Sequence, residues 1–427
     1  MESVQELLSI LKHEVKPSLG CSGPVGVALA ACEAYEAVGG RIKKIYALVD
    51  KDMCSKNSDV GIPPLGVKGL KNAAALGALC GRPGCGLEVL SDATQDDVAL
   101  AVSLADSGCV EVTPDWDTDI IGVYTDVRVV TDKGEGRAVV ARTHSNVVYK
   151  EANGRAIFGD GFSREKILDE SKDTISRYSL SDIVNFSLEA DSGDLEFLKE
   201  AIRLNRRLCD YGLSEKSKSP GFGRSMLKRM ADIPLKKAKA MTCAASEARM
   251  EGTGLEAMSC ATSGNAGIAV CMPLLSLAED YEKSEQDLLR ALACGYLVTI
   301  SCKNKIGRHS AMCACAVAAS LGVAAGTAML FGGGLKEVEM AVNNTIVNVF
   351  GILCDGARTA CALKLSTAAE CAMDGAFMAL DGVEVNKNEG VCAETADRSM
   401  EFMGKFARTG MAESDLMLCR ALYEKHF

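Results

Sequence analysis

Aromatic residues are scarce. Phe, Tyr and Trp make up only 5% of the 427 residues, and Trp occurs once. A core of this size must therefore be built from Ala, Val, Leu, Ile, Met and Cys. Basic runs are missing, as is any interleaving of Arg with aromatics, so nothing resembles a nucleic-acid footprint. The net charge of −10 fits an acidic protein and says nothing sharper. Stretches such as GVAAGTAMLFGG are apolar but too short and Gly-rich to span a bilayer, which takes about 20 residues. The opening MESVQELLSILKHEVKPSLG lacks the basic-then-apolar order of an export signal. These absences lead us to expect a cytoplasmic protein with no membrane and no nucleic-acid partner. A single chain leaves its assembly as a homo-oligomer open.

Familiar catalytic signatures are also missing. There is no Walker A loop, no G-x-G-x-x-G after a strand, no H-E-x-x-H and no G-x-S-x-G elbow. With only four His residues, a His-based zinc site is not expected. No convincing Schiff-base lysine and phosphate cup for pyridoxal phosphate stands out.

Cysteine and glycine, by contrast, are plentiful, at 19 and 41. The cysteine count is odd and the spacing fits no disulfide framework. Most of these thiols should be reduced, buried and inert. Cys32, Cys243 and Cys294 read as substitutes for Ala on helices. The spacings Cys313-x-Cys315 and Cys354-x6-Cys361 match neither zinc-ribbon nor ferredoxin patterns, so spacing alone is a weak metal signal.

The pattern predicts an α+β protein in two parts. Residues 1–40 plus 163–427 read as an all-α catalytic domain, with almost no strand signal after residue 163. Residues 41–162 read as a smaller α+β domain with a mostly antiparallel sheet, inserted into it. In this smaller part RIKKIYALVD alternates like a strand, and GLKNAAALGALCG reads as a helix. SDATQDDVALAVSLADSG reads as another helix, capped by Ser91 or Asp92. Turns are expected at Lys133-Gly134 and Asn153-Gly154. Near the start, KPSLGCSGP should only break a helical region.

Five Gly-rich polar stretches interrupt the helical texture: LGCSGP (19–24), VGIPPLGVKG (60–69), TSGNAG (262–267), IGRHSAMCAC (306–315) and CDGARTACALK (354–364). Glycine in such places allows close helix crossing or brings backbone N–H groups to a ligand. In TSGNAG, Ser263 and Asn265 around Gly264 can open a helix. That helix start is either a plain N-cap or a cradle for a carboxylate or phosphate.

In this order the five motifs resemble the L-cysteine desulfidase family, related to the α-chain of iron–sulfur L-serine dehydratases, along nearly the whole chain. The resemblance implies a [4Fe–4S] cluster with one iron not ligated by cysteine. It implies Cys354 and Cys361 as ligands and a third from SAMCAC, with Cys313 matching the position better than Cys315. It places Cys21 at the active site, as a ligand or an acid/base, and turns Lys68 of GVKG toward it, with Lys364 a weaker case. Ser263, Gly264 and Asn265 would hold the carboxylate of a small amino-acid substrate. The implied reaction is a β-elimination without pyridoxal phosphate, from L-cysteine to pyruvate, ammonia and sulfide. L-serine or L-threonine on the same scaffold, or a cluster-binding redox protein without turnover, are the alternatives. The chain departs from the family at Gly23, where a Glu is usual, at Pro64 and Leu65, at Ala266, and at Arg358-Thr359-Ala360.

Overall fold

In a computed structural model of the chain, residues 2–20, 22–62, 65–116, 123–164, 174–307 and 310–426 are described. The chain forms two compact units. One comprises Met1–Gly20, Lys172–Cys354 and Thr359–Glu413. The other comprises Cys21–Ser171, Asp355–Arg358 and Ser414–Phe427. The fold is α+β, dominated by helices, with one six-stranded sheet.

The first unit is helical because its apolar residues recur at helical spacing and are small enough to let helices approach. Helix Val317–Leu330 is buried at every position, as its composition of Ala, Gly, Val and Leu requires. It crosses Glu285–Ile306 so closely that a Cβ on Gly322 would stand 2.2 Å from the Gly295 carbonyl oxygen. Around this hub lie Pro234–Glu251, Gly264–Asp280, Leu335–Val349 and Cys361–Leu380.

This unit also holds a two-stranded ribbon that the sequence reading missed. Val15–Ser18 pairs antiparallel with Ala257–Cys260, in the register Val15 to Cys260. Pro17 reads as a breaker, yet an edge strand tolerates a residue that cannot donate. Ala-Met-Ser-Cys carries no β-branched residue to announce a strand. The ribbon ends where Ala261 N donates to the Glu14 carbonyl. It thereby fixes the start of TSGNAG.

In the second unit the strand order is Val110–Asp115, Ile42–Asp50, Val123–Thr131, Glu135–Arg142, Val147–Ala152, Arg155–Phe158. The first pair is parallel and every other pair antiparallel. Helix Ser22–Val38 belongs here and not, as the sequence reading had it, with the helices of the large region. Its Val27, Ala28, Ala31 and Ala34 share a core with Ile45, Ala47, Val127 and Val140 of the sheet and with helix Leu70–Cys80. A helix of small residues covers a flat sheet as readily as it packs on helices, so composition did not settle its place. Helix Gln95–Leu104 is capped by Thr94, not by Ser91 or Asp92. Asp97 closes the capping box, a pair of side-chain bonds that Ser91 and Asp92 do not form. Among the described residues no helix is long and apolar enough to cross a membrane.

Candidate functional site

Backbone pairing gathers the candidate thiols in the helical unit. Cys313 N donates to the Ile352 carbonyl and Cys354 N to the Ala311 carbonyl, both at 2.8 Å. Met312 and Leu353 thus form a short antiparallel bridge that sets Cys313 beside Cys354. Cys361 is the first residue of helix Cys361–Leu380, and Lys364 one turn on donates to the Leu353 carbonyl at 2.8 Å. Residues some 40 apart in sequence are therefore neighbours, which no linear spacing pattern could reveal.

The thiols act on one another. The Cys313 thiol is pushed well up from its ordinary value, first by its hydrogen bond with the Cys354 thiol, then by burial. The nearby Cys354, Cys315 and Cys361 sulfurs add to this. Cys313, set among the other three thiols, resists ionising unless a cation joins it. Their donor set is soft sulfur, which suits an iron–sulfur cluster or zinc over Mg²⁺ or Ca²⁺. Among the described residues the sole trio with donor atoms all within 4.8 Å of one another is Asp52, Asp415 and Cys419. No three of the described thiols come that close together. A cluster that binds each thiolate at a separate iron accepts the wider spacing.

The Asp52, Asp415 and Cys419 group, in the sheet unit, is already neutralised. Lys51 and Lys56 each bridge Asp52 and Asp415. Burial works to raise the Asp52 carboxyl, but the ammoniums of Lys56 and Lys51 outweigh it and hold it well below the carboxylate range. This is an ion-pair network with its counter-charges in place.

TSGNAG does open a helix. Ser263 is the N-cap of Gly264–Asp280, its Oγ accepting from Ala266 N at 3.2 Å. The same Oγ lies 3.0 Å from Cys315 Sγ. The cap and the thiols therefore meet. Asn265 is 4% exposed and points inward, its Oδ1 accepting from Arg249 Nη1 at 3.1 Å and its Nδ2 facing Met250 Sδ at 3.2 Å. Ahead of the cap, Ala261 and Thr262 both adopt positive φ, 47° and 66°. The buried Lys303 ammonium donates to the Ala261 carbonyl in this turn.

Of the remaining sequence candidates, Lys68 lies in the sheet unit. Lys68 ends the ribbon Gly61–Ile62 with Val67–Lys68 and is exposed. Cys21, Pro64, Arg308 and His309 fall outside the described residues. Next to Cys21, Ser22 Oγ is 3.0 Å from His144 Nδ1. Arg249 and Lys303 were missed by the sequence reading. Each sits inside an ordinary helical pattern, and only the fold shows what its side chain reaches.

The sequence matches the family model described as the serine dehydratase alpha chain over residues 84–420. That span contains Ser263, Cys313, Cys315, Cys354 and Cys361 but neither Cys21 nor Lys68. The chain is 33% identical to a UPF0597 protein of Clostridium tetani over 419 residues, 98% of each chain. It is 33% identical to one of Caldanaerobacter subterraneus over 423 residues and 35% identical to one of Photobacterium profundum over 427, again 98% of each chain. A match over most of the length, with the thiols and the cap inside it, places this chain in the serine dehydratase alpha-chain family, whose chemistry is that of a dehydratase-type lyase.

Proposed function

We propose that the protein eliminates the β-substituent of a small L-amino acid without pyridoxal phosphate, using a [4Fe–4S] cluster held by Cys313, Cys354 and Cys361. L-cysteine is the leading substrate, giving pyruvate, ammonia and sulfide. What carries this reading is the convergence of four thiols, with Cys315 Sγ 3.0 Å from the Ser263 Oγ that caps a helix. A bound cluster with one iron free of cysteine would supply a Lewis acid for the departing sulfur or oxygen.

The chain's own groups would do the rest. The open N-terminus of Gly264–Asp280 and the Ser263 hydroxyl would hold the substrate carboxylate. Asn265 would act from behind, since its amide is engaged inward. Cys21 Sγ and Lys68 Nζ are the proposed proton-transfer groups, on the resemblance of their motifs alone.

A second reading takes L-serine as substrate. The family's own description favours it, as does Gly23, which stands where the desulfidases carry a carboxylate. Iron and acid-labile sulfide per chain, on protein purified and reconstituted without oxygen, test the cluster. About four of each is the expectation for a cubane cluster, and neither should remain in Cys354→Ala. Turnover of L-cysteine, L-serine and L-threonine on that preparation then separates the substrates. Sulfide and pyruvate from L-cysteine support the first reading. Pyruvate from L-serine alone transfers the assignment to the second, and a fully loaded protein that turns over nothing defeats both.

A further inference from the structure

We propose that Arg249 supplies the positive charge that recognises the substrate carboxylate, and that residue 264 is glycine because the guanidinium lies across the start of the helix. The proposal rests on the amino-acid reading above and names the residue that selects for an acid.

Arg249 lies near the end of helix Pro234–Glu251, in the same unit as the cap. Its Nη1 donates to Asn265 Oδ1 at 3.1 Å and faces Met250 Sδ at 3.5 Å. Its Nη2 donates to the Gly20 carbonyl at 2.6 Å. Among the described residues these acceptors are an amide, a thioether and a carbonyl, and none carries charge. The half-buried Arg137 and Arg206 each face a carboxylate, while Arg224 and Arg290, like Arg249, donate to backbone carbonyls. A guanidinium has five N–H donors. Here one Nη2 hydrogen is unassigned and the Nε hydrogen is buried without an acceptor.

The position is electrostatically unfavourable for the free protein. A helix N-terminus already carries positive potential, so a cation is normally found at the other end. Arg249 instead adds a like charge at the start of Gly264–Asp280, partly withdrawn from water and, among the described residues, without a carboxylate partner. An anion entering beside Ser263 would relieve both. A carboxylate presents two oxygens in a plane, which is the shape a guanidinium meets best. The packing at Gly264 is specific to that guanidinium. A Cβ there would stand 2.3 Å from Arg249 Nε and 2.8 Å from its Cζ. Any side chain at 264 would displace the charge.

The test uses calorimetric titration of the full-length chain, prepared without oxygen, with L-alanine and with L-alaninamide. Neither has a leaving group, so the result does not depend on turnover. Wild type should prefer the acid. Arg249→Met should weaken L-alanine binding about ten- to a hundred-fold, the worth of a charge-assisted pair, and leave L-alaninamide unchanged. Arg249→Lys should retain part of the preference. Gly264→Ala should lose L-alanine binding in the wild-type background and cost far less beside Arg249→Met, because the clash has gone. Should Arg249→Met fail to fold, Arg249→Lys and Gly264→Ala decide the matter by the same preference. Equal L-alanine affinity in wild type and Arg249→Met overturns the proposal. So does a wild type that does not distinguish acid from amide, including one that binds neither. Intact acid preference in a protein that turns over no amino acid would defeat the lyase reading and leave Arg249 standing.

Discussion

Cys315 Sγ lies 3.0 Å from Ser263 Oγ, and that Oγ also caps helix Gly264–Asp280 through Ala266 N. One hydroxyl therefore serves a structural end and faces a thiol. Ser263→Ala should remove both contacts. Loss of the cap alone should cost about 1 kcal/mol, read as a lower midpoint in urea. Ser263→Thr should restore most of the stability. If Ser263 also meets substrate, KM should rise in the Ala variant beyond anything the stability change explains. An unchanged KM would confine Ser263 to capping.

The two neighbouring thiols should behave differently. Cys313 is buried against Cys354, whereas Cys315 is half-buried against Ser263. Cys313→Ser should lose iron and labile sulfide together, as Cys354→Ala should. Cys315→Ser should keep both, because its sulfur is turned to the cap. Metal and sulfide analysis of the three variants, prepared side by side without oxygen, decides the point. The reverse pattern would make Cys315 the third ligand.

Much of the fold was readable because periodicity is local. The alternation in RIKKIYALVD and IIGVYTDVRVVTD became two adjacent strands of the sheet, and the Ala- and Gly-rich helices became the buried hub. Helix Ser22–Val38 was misplaced because its small residues pack equally well on a sheet. Strand Val15–Ser18 was missed because its partner lies some 240 residues away. The same limit governs the site. TSGNAG could be read as a helix start from six residues. The Met312 to Leu353 bridge that joins the thiols, and the reach of Arg249 to Asn265 and Gly20, exist only once the chain is folded.

Backbone strain sits beside the cap. Thr262 is exposed, β-branched and at φ 66°, a conformation such residues rarely adopt. Asn tolerates it far better. Thr262→Asn should therefore stabilise the protein by about 1 kcal/mol, measured by urea unfolding. A loss of stability would show that the Thr side chain contributes more than its backbone costs.

The ion-pair network of the sheet unit should show in acid. Lys56 and Lys51 hold the Asp52 carboxyl below its ordinary value of 3.8 despite burial. Such a group stabilises the fold fully above the unfolded value. Below it, the unfolded chain takes up a proton that the folded chain refuses, and the contribution fades as pH falls toward the depressed folded value. Asp52→Asn removes this contribution at every pH. Asp415 still faces both lysines in that variant, so the cost near neutral pH should be about 2 kcal/mol, in the range for hydrogen bonds to charged groups. The gap between wild type and variant should hold steady above about pH 4 and narrow below it. Urea unfolding at a series of pH values reads the gap directly. If it stays constant down to pH 2.5, the lysines do not depress Asp52, and the network contributes through packing alone.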